Sequence, residues 1–345
     1  MIVVMKAGAA RKDVDSVMDL IRELGLRPQP IFGAERTIVG VVGALDEEKA
    51  GLIEQLESFP FVDRAVPVSR PYKFASRDWR PGKTIIEVNG VKIGGPQLVI
   101  MAGPCTVESR GQLLETAHAV KEAGATILRG GAFKPSTSPY SFHGLGRQGL
   151  ELLAEASRET GLPVITEVLD PDDLAACEEF ANILQIGTRN MANFALLRKV
   201  GRSRLPIMLK RGMASTIDEW LQAAEYILAE GNSNVMLCER GIRTFETSTR
   251  NTFDVNGMAV ALERSHLPVV ADPSQATGHR YLVPPVSKAA VAAGADALII
   301  EVHPDPAHAK KDGAQSLTIP EFQKLMADLK ILAAAVNRPL PMQDS

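Results

Sequence analysis

The chain has 345 residues, of which 45% are hydrophobic and 23% are charged, and this length suits one large α/β core with a smaller accessory domain. Its formal net charge of -3 gives no overall basic field, which excludes nucleic acid and anionic membrane surfaces as expected partners. Any binding site for an anion must therefore be formed by a local cluster of cationic side chains.

Targeting signals and cysteine usage further narrow the class of protein and its cellular compartment. The N-terminal segment turns polar too early for a signal peptide, and no apolar run approaches the roughly 20 residues that span a bilayer. Cys105, Cys177 and Cys238 are too few and too widely spaced for a disulfide framework or a CxxC zinc motif. We expect a soluble, cytoplasmic protein with reduced thiols.

Residues 1–69 have the pattern of a ferredoxin-like domain. Apolar alternation and helical periodicity predict the order βαββαβ, with elements at Ile2–Lys6, Val14–Leu24, Gln29–Phe32, Thr37–Val42, Glu47–Leu56 and Val62–Val68. Residues 70–97 follow as a linker and a β-hairpin, because Ser69–Lys83 is polar and contains prolines, and Ile85–Ile93 alternates around Asn89-Gly90, a strong hairpin signal.

Residues 98–338 alternate short apolar runs with amphipathic helical stretches. Eight runs occur in order: LVIMAGPC, ATILRGG, PVITEV, ILQIG, PIMLKRG, VMLCERG, PVVADPS and ALIIEVHP. Continuous apolar runs are typical of parallel strands that are buried on both faces. Eight strand-helix repeats favour an α/β fold of the (β/α)8 TIM-barrel type over an open, doubly wound sheet, which is the alternative architecture.

Polar side chains follow the apolar runs where each strand should end. They are Cys105, Arg129, Glu167, Arg189, Lys210 with Arg211, Glu239 with Arg240, Asp272, and Glu301 with His303. In a barrel these ends converge on the C-terminal face, where barrel enzymes carry their active sites. The cations among them, together with Lys134, predict a small, multiply anionic substrate. A nucleotide is disfavoured because neither GxxxxGK[ST] nor GxGxxG follows a strand.

Cys105, Glu301 and Asp312 also provide a mixed thiolate and carboxylate set that suits a first-row divalent metal. The alternative for Cys105 is a small hydrophobic residue buried in the core. For Cys177, in a predicted helix, and Cys238, within a predicted strand, packing is the expected role.

These residues stand in motifs that resemble a known family. The segments GPCTVES, LRGGAFKPSTSPYSF, QIGTRNM, LKRGM, CERGIRTFE, DPSQATGHR and EVHPDP resemble 3-deoxy-D-arabino-heptulosonate 7-phosphate (DAHP) synthases of the single-barrel class with a ferredoxin-like N-terminal domain. The resemblance covers essentially the whole chain. It implies a transferase that condenses phosphoenolpyruvate with erythrose 4-phosphate, an aldose phosphate, at the entry to the shikimate pathway of aromatic amino acid biosynthesis.

The resemblance also implies roles for individual residues. Those implied to bind phosphoenolpyruvate are Arg129, Lys134, Arg189, Lys210 and Arg240, and those implied to act in catalysis are Lys134, Cys105 and Glu301. The implied site for the aldehyde phosphate is at Ser136 and Thr137. A divalent metal of the Mn, Zn, Fe or Co class is implied at Cys105, position 275, Glu301 and Asp312.

Two positions depart from the family pattern. Position 275 carries Gln275 where the family has a metal-binding His, so the metal is either bound more weakly, held by His279 instead, or lost with the activity. Ser136 stands where the family has an Arg for the aldehyde phosphate. A divergent synthase for another aldehyde, and a catalytically silent homologue that binds phosphoenolpyruvate, therefore stay as alternatives.

For residues 1–69 the resemblance implies feedback inhibition by an aromatic amino acid through contacts between subunits. A module for oligomerisation or a lid is the alternative, since no residue in this segment identifies a ligand. We expect a homo-oligomer, either a dimer or a tetramer.

Overall fold

A computed structural model describes residues 1–33, 36–44, 49–67, 71–135 and 140–341, with the backbone alone for residue 50. The chain divides into two compact units, Met1–Pro81 and Gly82–Ser345. Each unit has a hydrophobic core of its own.

The first unit is a four-stranded antiparallel sheet with two helices. Its elements are β1 (Ile2–Met5), α1 (Arg11–Glu23), β2 (Arg27–Phe32), β3 (Thr37–Val42), α2 (Lys49–Glu57) and β4 (Val62–Val66), and the strand order is β2-β3-β1-β4. Helix α1 buries Val14, Val17, Met18 and Ile21, whose spacing places them on one helical face against the sheet. The prediction of a ferredoxin-like βαββαβ fold is confirmed.

A β-hairpin precedes the barrel, as its sequence predicts. Strands β5 (Ile86–Val88) and β6 (Val91–Ile93) pair in antiparallel fashion around Asn89 and Gly90. Both turn residues have positive φ, +47° and +84°, which is the backbone conformation that favours Asn-Gly in a two-residue hairpin.

The rest of the second unit is a closed barrel of eight parallel strands, so the prediction of a (β/α)8 fold is confirmed and the open sheet is not formed. Each of the eight apolar runs of the sequence contains one of its strands. In chain order the elements are β7 (Val99–Gly103), α3 (Arg110–Glu122), β8 (Ile127–Arg129), α4 (Arg147–Thr160), β9 (Val164–Val168), α5 (Leu174–Phe180), β10 (Ile183–Ile186), α6 (Phe194–Val200), β11 (Ile207–Lys210), α7 (Ile217–Ala229), β12 (Val235–Glu239), α8 (Val255–Arg264), β13 (Val269–Ala271), α9 (Pro273–Thr277), α10 (Val283–Ala292), β14 (Ala297–Glu301) and α11 (Ile319–Ala335).

Short 3-10 helices interrupt the loops at Pro171–Asp173, Thr188–Asn190, Arg280–Leu282, Pro306–His308 and Gly313–Gln315. Among the helices of the described ranges, none is long and apolar enough to cross a membrane.

The hairpin closes the N-terminal end of the barrel. Ile86, Val88 and Ile93 are buried in the same hydrophobic cluster as residues at the N-terminal ends of barrel strands, such as Val99 and Ile127. Burial of large aliphatic side chains on both sides of this contact excludes water from the bottom of the barrel. Polar groups inside the barrel can therefore meet solvent at the C-terminal end.

A buried carboxylate fixes the start of the barrel domain to its end. Asp296, which is fully buried just before β14, accepts hydrogen bonds from Lys83 Nζ at 2.5 Å, Arg338 Nη2 at 2.6 Å and the amide of Val269 at 2.8 Å. Arg338 also donates to the carbonyl of Gly95 at 3.0 Å. One side chain thus connects the segment before the hairpin, two strands and the C-terminal segment.

We predict that Asp296→Asn destabilises the barrel by about 3 kcal/mol, because it leaves two cations beside a neutral amide in a buried position. Calorimetric melting of the full chain measures the loss. The matched control is Asp328→Asn, which breaks a pair with Lys288 in which both side chains are 41% exposed, and which should cost less than about 1 kcal/mol. Equal melting temperatures for the two variants would contradict the role given to Asp296.

Candidate active site

A cavity of about 180 Å³ opens at the C-terminal ends of the barrel strands. Its charged lining residues are two carboxylates, Glu167 and Asp312, and seven cations: Arg129, Lys134, Arg189, Lys210, Arg240, Arg250 and Lys311. We call this space the basic cavity. Its excess of positive charge in a protein of net charge -3 indicates a binding site for an anion with several charges.

The buried cations Arg129, Lys210 and Arg240 form what we call the floor of the basic cavity. Acceptors that do not line the cavity hold two of them in place. Lys210, at the end of β11, donates to Asp272 Oδ2 at 2.6 Å. Arg129, at the end of β8, donates to the carbonyl of Pro104 at 2.8 Å and lies 3.5 Å from Glu301. Burial works against ionisation of Asp272, but Lys210 outweighs it and lowers the pKa of this carboxyl group. These contacts fix the positive charges in place before any ligand binds.

Arg240 is the least compensated of these cations. It is 5% exposed, and no carboxylate of the described residues lies within ion-pair distance of it. Its Nη2 donates to Gln275 Oε1 at 3.2 Å, whereas its Nη1 and the Nε of Arg129 are buried and have no partner in the described part of the chain. Burial lowers the pKa of Arg240, and although the charge of Asp272 opposes this shift, repulsion from Arg250 adds to it. Buried donors without acceptors are costly, so this part of the floor is prepared for an anion.

A thiol and two carboxylates meet at one side of the cavity. Ligand atoms of Cys105, Glu301 and Asp312 all lie within 4.8 Å of one another, and we call these residues the thiol–carboxylate cluster. Cys105 Sγ donates to Asp312 Oδ2 at 3.1 Å and accepts from Lys134 Nζ at 2.8 Å. The cluster therefore already holds one positive charge, the ammonium group of Lys134.

Protonation in this cluster follows from burial and neighbouring charge. Burial, with Glu301 adding to it, raises the pKa of the Cys105 thiol. For Lys134, burial opposes the charged form, but attraction to Cys105, Glu301 and Asp312 outweighs it and raises the pKa of the ammonium group. Lys134 is thus a stable cation between the cluster and the basic cavity.

Gln275 lies between the cluster and Arg240. It belongs to the short helix α9, where its backbone amide donates to Asp272 at 2.9 Å. Its side-chain Nε2 donates to Glu301 Oε1 at 2.6 Å and to Asp312 Oδ2 at 3.2 Å, while its Oε1 faces Arg240. To serve as a metal ligand, the amide would have to turn its oxygen toward the cluster, which would give up the Arg240 contact and place NH2 against the guanidinium group.

The residues of the cluster fit a divalent cation in part. Thiolate and carboxylate oxygens suit first-row metals, and three such ligands converge here. The fourth residue implied by the family resemblance, Gln275, presents donors to this position instead of an acceptor. His279 is not in the cluster, because its ring lies beside Tyr281 with 5.7 Å between the centroids.

Two glycines allow the walls of the site to approach each other. A Cβ on Gly131 would lie 2.8 Å from the carbonyl oxygen of Cys105, and the Gly131 amide donates to that same oxygen at 3.1 Å. A Cβ on Gly187 would collide with the carboxylate of Glu167. The segment RGG therefore needs glycine at position 131, where the clash is with backbone, whereas at position 187 a side chain would displace the Glu167 carboxylate.

Most of the residues singled out in the sequence come together here. Those that line the basic cavity are Arg129, Lys134, Arg189, Lys210, Arg240, Gln275 and Asp312. Cys105 and Glu301 lie directly behind, in the cluster. Ser136 and Thr137 are outside the described residues.

The expectation that Arg211 faces the mouth is wrong. Arg211 donates to Glu239 at 2.9 Å and Asp254 at 2.8 Å, and it is buried away from the cavity. Gln185, Arg250 and Lys311 are among the lining residues that the sequence did not single out as site residues. The signal for Gln185 was a polar residue inside the apolar run ILQIG. Arg250 and Lys311 are on loops, where no periodicity marks the direction of a side chain.

Comparison with known proteins places this geometry in one family. A model described as the DAHP synthetase I family matches residues 83–335, and one described as the DAHP synthase ferredoxin-like domain matches residues 1–70. Phospho-2-dehydro-3-deoxyheptonate aldolase of Thermotoga maritima is 47% identical over 337 residues, which cover 98% of this chain and 99% of the relative. 2-Dehydro-3-deoxyphosphooctonate aldolase of Koribacter versatilis is 30% identical, over 73% of this chain and 97% of the relative.

Solved structures agree with these matches. The crystal structure of the Thermotoga maritima phospho-2-dehydro-3-deoxyheptonate aldolase (DAHP synthase) has a TM-score of 0.79 at 46% identity, with 99% of each chain covered. A truncated form of 3-deoxy-D-arabino-heptulosonate 7-phosphate synthase from the same organism has a TM-score of 0.74 and covers 79% of this chain and 100% of that chain.

We predict that Arg240→Met weakens binding of inorganic phosphate about 10- to 100-fold, because the substitution removes the buried guanidinium group and its charge-assisted contact to the anion. The same substitution should raise the melting temperature, since it removes a buried cation that lacks a carboxylate partner. Titration calorimetry and thermal melting measure the two effects. Arg202→Met, at an arginine that is 71% exposed and pairs with Glu230, is the control for both. Unchanged phosphate affinity in Arg240→Met would refute the assignment of the cavity floor.

Proposed function

Since this chain belongs to the DAHP synthetase I family, we propose that it condenses phosphoenolpyruvate with erythrose 4-phosphate and releases inorganic phosphate, as the first step of the shikimate pathway. The observation that carries this proposal is the basic cavity, in which seven cations meet beside the thiol–carboxylate cluster. Both substrates are small phosphorylated anions, so the site must attract two of them and bring them into contact. A near full-length relative with the corresponding activity in its name supports the same conclusion.

For phosphoenolpyruvate we propose binding through Arg129, Lys134, Arg189, Lys210 and Arg240. Guanidinium groups bind phosphate and carboxylate in bidentate fashion, and ammonium groups act as point charges. Two of these side chains, Arg129 and Arg240, keep buried donors without a partner in the described residues, which supports an anion at this position. Held there, the enol presents C3 for attack.

The proposed reaction forms a carbon–carbon bond between the substrates and a carbon–oxygen bond to water, and it breaks the carbon–oxygen bond to phosphate. C3 of the enol attacks the aldehyde carbon, a water molecule adds at C2, and the bond between C2 and the phosphate oxygen breaks as phosphate leaves. Of the two protons that the water molecule loses, one replaces the proton that the new hydroxyl group receives and the other leaves with the phosphate. We propose that Lys134 donates a proton to the developing alkoxide, because its ammonium group lies between the cavity and the cluster. Cys105 accepts a hydrogen bond from Lys134 and orients it, and the carboxylates of Glu301 and Asp312 balance its charge.

A divalent metal of the Mn, Zn, Fe or Co class would, when bound, polarise the aldehyde carbonyl group. We propose Cys105, Glu301 and Asp312 as its ligands. Gln275 holds the fourth position only after its amide turns, so we propose weaker metal binding than a histidine at this position would give.

We predict that Gln275→His increases the affinity for Mn²⁺ by about 10-fold or more, because imidazole replaces an amide that presents its NH2 to the ligand position. Titration of the metal-stripped protein with Mn²⁺, followed by calorimetry, measures this affinity without reference to turnover. His279→Ala is the matched control and should bind as the unchanged protein does, since that ring lies beside Tyr281. Loss of binding in His279→Ala would show instead that this histidine is the ligand.

Release of phosphate from phosphoenolpyruvate tests the reaction itself. We expect release with erythrose 4-phosphate in the presence of Mn²⁺, and a loss of at least about 100-fold in kcat for Lys134→Met, because general acid catalysis typically contributes that much. Preference for a five-carbon aldose phosphate would favour the divergent synthase. Calorimetric binding of phosphoenolpyruvate without turnover of any aldehyde would favour the silent homologue.

We propose a cytoplasmic location on the basis of the three free cysteines, all of which are buried. We also propose a homo-oligomer in which the ferredoxin-like unit carries a regulatory or assembly role. The edge strand β2 of that unit contains two prolines, so pairing through its own backbone is disfavoured.

A further inference from the structure

The loop between β14 and α11 carries three consecutive charged residues, of which Lys311 and Asp312 line the basic cavity. Asp312 has φ of +54° and joins the cluster through Cys105 and Lys134. Lys310 lies with Nζ 4.7 Å from the ring centroid of Phe142, and its backbone amide donates to Glu108. Lys311, half-buried between these two residues, lines the basic cavity.

The same loop is in contact with the segment that follows β8 at two points. One contact is Lys134 to Asp312, at 3.4 Å, and the other is Lys310 to Phe142. Lys311 therefore adds its charge on the side of the cavity formed by Lys134 and Pro135. Residue 136, next in the sequence, is a serine and carries no charge.

Five of the seven cations of the cavity fall into two groups. Arg129, Lys210 and Arg240 are at strand ends and are almost fully buried, whereas Arg250 and Lys311 belong to loops on the side of Asp312. The guanidinium group of Arg250 donates to Gln315 Oε1 at 2.9 Å and lies 3.4 Å from Asp312 Oδ1.

Two phosphorylated substrates need two separate places for their charges. With phosphoenolpyruvate on the buried floor, the aldehyde group of the second substrate must point to Lys134, and its phosphate must then lie toward the loops. Lys311 is a loop cation that lines the cavity and is adjacent to Asp312 in the sequence. A flexible ammonium group can follow a phosphate at the end of a short sugar chain.

We propose that Lys311 binds the phosphate group of the aldehyde substrate and so determines that the acceptor is a phosphorylated aldose. This inference rests on the proposed function and deepens it, because it assigns the second anion of the same reaction to one residue of a loop. Arg250 supports this role by holding Asp312 from the opposite side.

The test compares Lys311→Gln with Lys310→Gln, which removes the neighbouring charge at a side chain that stacks on Phe142. For Lys311→Gln we expect the KM for erythrose 4-phosphate to rise about 10-fold or more, because one charge-assisted phosphate contact is lost. The KM for phosphoenolpyruvate and kcat should stay within about 2-fold, and Lys311→Arg should retain most of the affinity. With unphosphorylated erythrose, Lys311→Gln and the unchanged protein should have equal kcat/KM.

Three results would overturn the inference: an equal effect of Lys310→Gln, a rise in the KM for phosphoenolpyruvate instead, or the same loss with unphosphorylated erythrose. If the unchanged protein releases no phosphate with any aldehyde, the proposed function fails, and the role of Lys311 is then decided by calorimetry. In that experiment erythrose 4-phosphate is titrated into the unchanged protein and the two glutamine variants. Weaker binding in Lys311→Gln alone supports the inference, and equal binding in all three refutes it.

Discussion

Burial of positive charge at one end of a barrel is the constraint on which this structure depends. Removing a guanidinium or ammonium group from water costs several kcal/mol unless acceptors replace the water. Here the acceptors are placed behind the cavity wall: Asp272 for Lys210, Glu301 for Arg129, and the cluster for Lys134. Arg240 has no carboxylate of the described residues within ion-pair distance and keeps a buried donor without a partner among them, so it can bind an anion.

This arrangement explains why some charged strand-end residues serve structure and others serve binding. Arg211 and Arg240 follow neighbouring strands, and both are buried. Arg211 forms ion pairs with two carboxylates, Glu239 and Asp254, which balance its charge. Arg240 has a neutral amide, which accepts a hydrogen bond but does not neutralise the charge. The difference in partners, and not the difference in residue type, separates the two roles.

The fold could be predicted from the sequence because its signals are local and repeated. Each of the eight apolar runs contains a barrel strand, and Asn89-Gly90 forms the turn of the hairpin. Boundaries were less exact: helix α1 begins at Arg11, whereas apolar periodicity placed its start at Val14, because polar residues of a first turn carry no apolar signal.

The site was only partly predictable for a physical reason. Strand ends converge by the geometry of a barrel, so Arg129, Lys210 and Arg240 could be grouped in advance. Loop residues such as Lys311 depend on backbone angles that periodicity does not specify, here the left-handed conformation of Asp312. Adjacent lysines look alike in the sequence, yet Lys310 stacks on an aromatic ring while Lys311 lines the cavity.

Gln275 connects the negative and the positive halves of the site. Its NH2 group donates to Glu301 and Asp312, and its oxygen accepts from Arg240, so one neutral side chain satisfies groups of both signs. A cation at the cluster and this amide compete for the same carboxylate oxygens. If the amide turns to offer its oxygen, Arg240 loses its acceptor and has a further donor available for an anion. The identity of residue 275 therefore links occupancy of the cluster to the strength of anion binding on the cavity floor.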